Sequence, residues 1–225
     1  MKIKLILLSC IALSITLTGC LKEGSDTIAL PFGRVPNTVI PDEIRDQLEQ
    51  HLPIYEGITP PDISGKYLVQ PDQLVYSSDG QFSVGHVFAP LYLSFENQTA
   101  SGMATYTERN GSSTAESSEV YVVGTGNNFT AYFMTHSTTY DDDGNIEATC
   151  IMSNILSGTI TNNGISNYRL AFVMLEKNDP HNTLMDVNEY RVFEDGDGLA
   201  VKYNWYKSEK IDDNLPARFI KKSNN

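Results

Sequence analysis

Gly126-Asn127-Asn128-Phe129-Thr130-Ala131-Tyr132-Phe133-Met134 is the stretch on which the reading of the fold turns. A Gly-Asn turn signal is followed by Phe129, Ala131 and Phe133 on one parity, with Thr130, Tyr132 and Met134 on the other. A period of two sends alternate side chains to opposite faces of a strand, and branched and aromatic residues suit a pleated, half-buried surface. The same alternation recurs upstream at Leu91, Leu93 and Phe95, and downstream at Leu199, Val201, Tyr203 and Trp205.

Between such runs lie Ser78-Asp79-Gly80, Asn110-Gly111, Asp143-Gly144, Asn163-Gly164 and Asp195-Gly196-Asp197-Gly198. Asn-Gly and Asp-Gly favour the tight turns whose twist matches antiparallel strands. These markers predict about ten strands, near 65–70, 73–77, 86–97, 102–109, 117–124, 128–139, 146–153, 156–162, 166–176, 187–194 and 199–206. No second helical pattern interrupts them, so sequence neighbours must pair, giving an all-β, antiparallel up-and-down meander. A meander of this length closes into a barrel or splits into two packed sheets.

Leu170-Ala171-Phe172-Val173-Met174-Leu175 is apolar on both parities, so that strand needs cover outside as well as inside. Pro41 to Leu52 is the one helix expected. Proline suits the first turn, Asp42 and Glu43 the positive end of the dipole, and Pro53 stops it. Ile44, Leu48 and Leu52, four apart, form a narrow apolar stripe that fits the role of cover.

The front of the chain reads differently. Lys2 and Lys4 precede an almost wholly apolar run from Leu5 to Leu17. At ~1.5 Å per residue such a run falls well short of the ~30 Å hydrocarbon core, and it has the proportions of a secretory signal. It ends in Leu17-Thr18-Gly19-Cys20, which resembles the bacterial lipobox. The resemblance implies cleavage before Cys20, lipid on its thiol, and an envelope address, in the outer membrane, with the lipid as the membrane contact. The expected organisation is a signal peptide over 1–19, a tether over 20–39, a helix over 40–53, one β-rich domain over 54–208 and a tail over 209–225. The tail shows no period, and Lys221-Lys222 reads as a solvated charge pair.

Of three cysteines, Cys10 leaves with the signal and Cys20 carries lipid, so Cys150 stands alone and an exported chain must rely on its core. Sixteen basic and 28 acidic residues give a net charge of −12. That balance argues against nucleic acid as a partner.

Catalytic and metal patterns are sparse. His51, His86, His136 and His181 fall in separate elements, and Cys150 shares parity with Ile146, Ala148 and Met152, as a core residue would. Asp141-Asp142-Asp143-Gly144-Asn145 and Glu194-Asp195-Gly196-Asp197-Gly198 are dense enough in carboxylates to hold calcium, but they lack the spaced oxygens and distal glutamate of an EF-hand loop, and their place between two strands favours turn chemistry over calcium. There is no Gly-x-Ser-x-Gly and no phosphate-cradling glycine loop before a helix. No metal and no cofactor is expected.

Ile54-Tyr55-Glu56-Gly57-Ile58-Thr59-Pro60-Pro61-Asp62-Ile63-Ser64-Gly65-Lys66-Tyr67, Ser157-Gly158-Thr159-Ile160 and Arg191-Val192-Phe193-Glu194-Asp195-Gly196-Asp197-Gly198 together resemble a group of secreted lipoproteins from Bacteroidetes. Gly65-x-Tyr67 is also similar to the Gly-x-Trp that opens the first strand of lipocalins, with tyrosine in place of tryptophan. The second resemblance implies a lipocalin-like barrel in preference to a sandwich. The expectation drawn from all of this is a lipid-anchored envelope protein whose β domain binds a small molecule, glycan or protein without chemistry. An envelope hydrolase and a surface-assembly subunit are the rivals.

Overall fold

The two-residue period builds a continuous antiparallel wall. The computed structural model describes residues 28–30, 33–35, 47–203 and 215–222. Within these, β3 (Ile58–Thr59), β4 (Gly65–Val69), β5 (Asp72–Ser77), β6 (Val87–Phe88), β7 (Leu91–Glu96), β8 (Met103–Asn110) and β9 (Ser113–Thr125) lead into β10 (Asn128–Tyr140), β11 (Ile146–Thr161), β12 (Gly164–Asn178), β13 (Tyr190–Asp195) and β14 (Leu199–Lys202). From β7 to β12 each strand pairs antiparallel with its sequence neighbour. β14 then pairs with both β12 and β4, and β4 with β7, closing a barrel-like ring of eight strands. The all-β meander read from the sequence is the architecture found.

Three of the ring's strands are broken at the same height. β13 and β14 both run along one edge of β12, Tyr190 to Glu194 opposite Val173 to Arg169 and Leu199 to Val201 opposite Ser166 to Gly164. Asp195-Gly196-Asp197-Gly198 is therefore a kink in one path along β12, where the sequence suggested a hairpin. β4 and β5 are likewise two parts of one path, divided at Gln70-Pro71, and β6 and β7 are divided at Ala89-Pro90. Proline has no N–H for a ladder, so strands yield where it falls. Gly196 is needed at this seam: its N–H donates to the Pro71 carbonyl at 2.8 Å, and a Cβ there would lie 2.7 Å from Pro71 Cγ. In the opposite sense, the two strands expected at 146–153 and 156–162 are one uninterrupted β11.

Side chains from both ends of the ring fill it. Near the Thr125–Asn128 and Thr161–Gly164 turns, Tyr67, Leu93, Phe95, Val120, Phe129, Phe133, Leu156 and Leu170 form an apolar cluster. Toward the other end, hereafter the mouth, Leu74, Phe88, Met152, Phe172, Met174, Phe193 and Phe219 form a second. A third cluster lies on the opposite face of the wall, where Leu48 and Leu52 pack with Val123, Ile155, Ala171, Val173 and Val192. The doubly apolar strand thus has cover on both faces: Leu170 lies in the first cluster, Phe172 and Met174 in the second, and Ala171 and Val173 under the two leucines. Residues 41–46 of the expected helix, including Ile44, lie outside the described residues. Its described end is helical at Gln47 and Leu48 and closes in a turn in which the Gln50 and His51 N–H groups donate to the carbonyls of Gln47 and Leu48.

Within the segment read as a tether, β1 (Ile28–Leu30) and β2 (Gly33–Val35) pair antiparallel as a separate two-stranded sheet. The lipobox residues Leu17, Thr18, Gly19 and Cys20, and Trp205, lie outside the described residues.

Candidate binding site at the mouth of the ring

Residues 215–222, which carry no periodic signal, pack across the mouth. Ala217, Arg218 and Phe219 are 3%, 1% and 1% exposed, so the centre of this segment, expected to be a surface tail, belongs to the core. The segment is held largely through its backbone. Its Pro216 carbonyl accepts from Ala89 N–H at 3.1 Å, and the Phe219 carbonyl from Met185 N–H at 2.9 Å. Arg218 N–H donates to Asn110 Oδ1 at 2.8 Å and Lys221 N–H to the Thr183 carbonyl at 2.7 Å. Leu184 and Ile220 form a lone antiparallel bridge.

Two buried arginines lock the segment in reciprocal directions. Arg191 of β13 is fully buried; its Nη1 donates to the carbonyls of Arg218 and Ile220, while Nε and Nη2 donate to Asp79 Oδ2. Its guanidinium lies over Phe82 and Phe88, 5.0 and 5.9 Å from the ring centres. Arg218 points the other way, from the segment into the ring. Its Nη2 meets Glu108 Oε2 at 2.7 Å, and its Nε lies 3.6 Å from Asp72 Oδ2. Its guanidinium sits over Phe193 and Phe172, at 5.5 and 5.8 Å, and those two rings stack on each other at 5.5 Å.

Strand geometry places the partners. Ala104, Tyr106, Glu108 and Asn110 are the buried alternate residues of β8, and Tyr106 OH donates to Glu108 Oε2. Asp72 is the first residue of β5, immediately after the break at Pro71. Tyr168 follows Asn167, whose φ of 53° falls within an irregularity of the β11–β12 ladder and turns the tyrosine to the inside. Asp72 Oδ1 and Oδ2, Arg218 Nε and Nη1, and Tyr168 OH are all buried and make no hydrogen bond with the described residues.

The charges here are strongly perturbed. Burial pushes Asp72 up to about 7; Arg218 pulls it down, and repulsion from Glu108 and Asp195 adds to the rise. Burial also pushes Asp195 up to about 6, with the neighbouring Asp197 contributing. For Arg218 burial works against the cation, but Glu108 and Asp72 outweigh it and hold its pKa above the ordinary value. For Arg191 burial prevails over Asp79 and lowers the pKa.

Raised carboxylates are also what acid catalysis needs. Asp72, however, is 0% exposed, and Asp195 commits its oxygens to the amides of Gln70, Asp197 and Leu199, holding the two strand breaks together. The acid-rich turn at 141–145 is similarly occupied: Asp141 Oδ1 accepts from the N–H groups of Asp143 and Asn145. Among the described residues, no group of three or more His, Cys, Asp or Glu is placed to hold a metal ion.

The histidines remain apart. His51 stacks on Tyr76 at 4.1 Å, whereas His86 sits between Phe82 and Phe88 with its pKa lowered by burial. His136 is exposed in the middle of β10, opposite Glu116 and Ile151, and His181 is exposed in the loop after β12. Cys150 is buried, and burial pushes its thiol up to about 12. Tyr203, grouped by its period with Leu199 and Val201 on one strand face, is partly exposed and packs edge-on against Tyr92.

Sequence reasoning missed Asp72, Glu108, Arg191 and Arg218. The available signal was Ala217-Arg218-Phe219-Ile220, an apolar run around one cation in a supposed tail. Comparison with protein-family models, curated proteins and solved structures finds no match for this chain.

Proposed function

We propose that this protein is a lipid-anchored lipoprotein of the cell envelope whose ring domain acts by binding a protein partner and performs no chemistry. The anchor follows from Leu17-Thr18-Gly19-Cys20 at the end of an apolar leader. The binding role rests on one observation: carboxylates and aromatic faces surround a guanidinium supplied from a remote part of the same chain. Carboxylates and ring faces are the chemistry of cation recognition. An interior packed with Phe88, Phe95, Phe129, Phe133, Phe172 and Phe193, all buried, favours a ligand that engages the mouth over a small molecule enclosed in the ring.

Mass spectrometry of protein from the membrane fraction tests the anchor. Cys20 at the mature N-terminus with a diacylglyceryl thioether is the expected result, and Cys20→Ala moves the protein to the soluble fraction. A bare Cys20 thiol in an uncleaved chain overturns the reading.

A further inference from the structure

We propose that the mouth recognises an arginine followed by an aromatic residue in a segment of a basic partner protein, and that residues 215–222 are its built-in occupant. The inference rests on the binding role proposed above and names the ligand.

Side-chain contacts set the specificity. Arg218 takes Glu108 at 2.7 Å, Asp72 at 3.6 Å and the faces of Phe172 and Phe193, and Phe219 is buried in the cluster beside it. A planar, five-donor guanidinium suits such a pocket better than an ammonium does. The remaining contacts are generic. Arg191, Met185 and Asn110 bind the carbonyls and the N–H of residues 218–220, groups that almost any peptide presents. A foreign segment with the same two side chains in order would make the same bonds.

The built-in occupant also leaves capacity unused. Both Asp72 oxygens, Arg218 Nε and Nη1, and Tyr168 OH make no hydrogen bond with the described residues. An arginine seated closer to Asp72 would gain charge-assisted bonds that Arg218 forgoes at 3.6 Å. Such a surplus is needed, because a tethered occupant competes at an effective concentration on the order of millimolar.

Charge selects the partner. The chain carries −12, and a groove of about 970 Å³ formed by the described residues beside the segment is bordered by Asp141, Asp142 and Glu147 against Arg109. A second copy would be repelled and a basic chain attracted.

The test uses the full chain and a labelled synthetic peptide reproducing residues 215–222, with a counterpart carrying citrulline in place of arginine. Fluorescence anisotropy is expected to show the arginine peptide binding the Arg218→Gln variant roughly tenfold tighter than the unmodified chain, and roughly tenfold tighter than the citrulline peptide. Adding Glu108→Gln to that variant is expected to erase the preference. Should Arg218→Gln lose its β-sheet circular dichroism, the unmodified chain still decides. Saturating arginine peptide is expected to speed hydrogen exchange at the Arg218 and Lys221 amides of the displaced segment, leaving the β10–β11 amides unchanged. Equal binding of the two peptides, or unchanged exchange at Arg218 and Lys221, overturns the inference. So does a concentration-dependent dimer of the unmodified chain by light scattering, which would assign the site to a second copy. A missing arginine preference together with a lipidated Cys20 refutes this inference alone. A bare Cys20 with the preference intact refutes only the anchor.

Discussion

The two ends of the ring are closed by opposite means. At one, Tyr67, Phe95, Phe129 and Phe133 come from strands joined by short turns and bury almost no charge. At the mouth, closure comes from a remote segment whose Arg218 lies about 110 positions along the chain from Glu108, which pairs with its guanidinium, and from Asn110, which bonds its amide. The apolar end holds by area removed from water, which tolerates approximate fits. The mouth holds by matched charges in a dry setting, where losing one partner strands the others. One end is robust, and the other is conditional on a single side chain.

Arg218→Ala separates the two most sharply. It leaves Glu108 and Asp72 buried without their cation, and the expected loss is about 3–5 kcal/mol by urea unfolding at pH 7. Lowering the pH toward 5 should shrink that loss, because Asp72, which burial already pushes up to about 7 against the pull of Arg218, is then protonated. A deficit that stays the same at both pH values would break the comparison.

Leu93→Ala is the control from the apolar end. Leu93 is 0% exposed on β7, and its truncation should cost about 3 kcal/mol through lost burial and a residual cavity. No titratable group enters that cost, so the deficit should be the same at pH 5 and pH 7.

That contrast also marks what was legible in the sequence. Leu91-Leu93-Phe95 and Phe129-Ala131-Phe133 announce their faces through a period of two, and Leu170 to Leu175 announces a need for cover that Leu48 and Leu52 meet. Periodicity is a local signal, and local signals sufficed for the wall. The break at Asp195 to Gly198 reads as a hairpin in the sequence because Asp-Gly marks any sharp change of direction, and only the facing break at Pro71 shows which kind it is. Arg218 has no period and no neighbour in sequence among its partners. Its role comes from convergence in space, which a lone cation in an acidic chain does not disclose.

Asp72→Asn probes the mouth more gently. Asp72 titrates at about 7 in the folded chain against an ordinary 3.8, so folding retains its proton between those values. Its contribution is complete below about pH 4 and is lost as pH rises through 7. Glu108 on β8, Asp195 on β13, Tyr168 on β12 and Arg218 of the closing segment are the charged and titratable groups that act on it. The variant should be more stable than the unmodified chain at pH 8, with a flatter stability profile between pH 5 and 8. A shallow residual fall is expected from Asp195, which burial also raises. A variant less stable at pH 8 than the unmodified chain would show that the mouth holds Asp72 as a useful anion, with the pull of Arg218 outweighing burial.

Arg169→Ala sharpens the comparison from the other side, since it removes the same kind of charge pair from the surface. Arg169 Nη2 meets Glu194 Oε2 at 2.7 Å, as short as the Arg218–Glu108 contact, but the side chains are 29% and 34% exposed. Water screens that pair and receives the freed carboxylate, so the expected loss is below about 1 kcal/mol and shrinks further in about 1 M salt. Arg218→Ala should keep most of its larger effect at the same ionic strength, because its partners lie beyond the reach of solvent ions. If the two losses were equal, or fell together with salt, burial would not be what distinguishes the mouth, and the reciprocal arginines would rank as ordinary surface pairs.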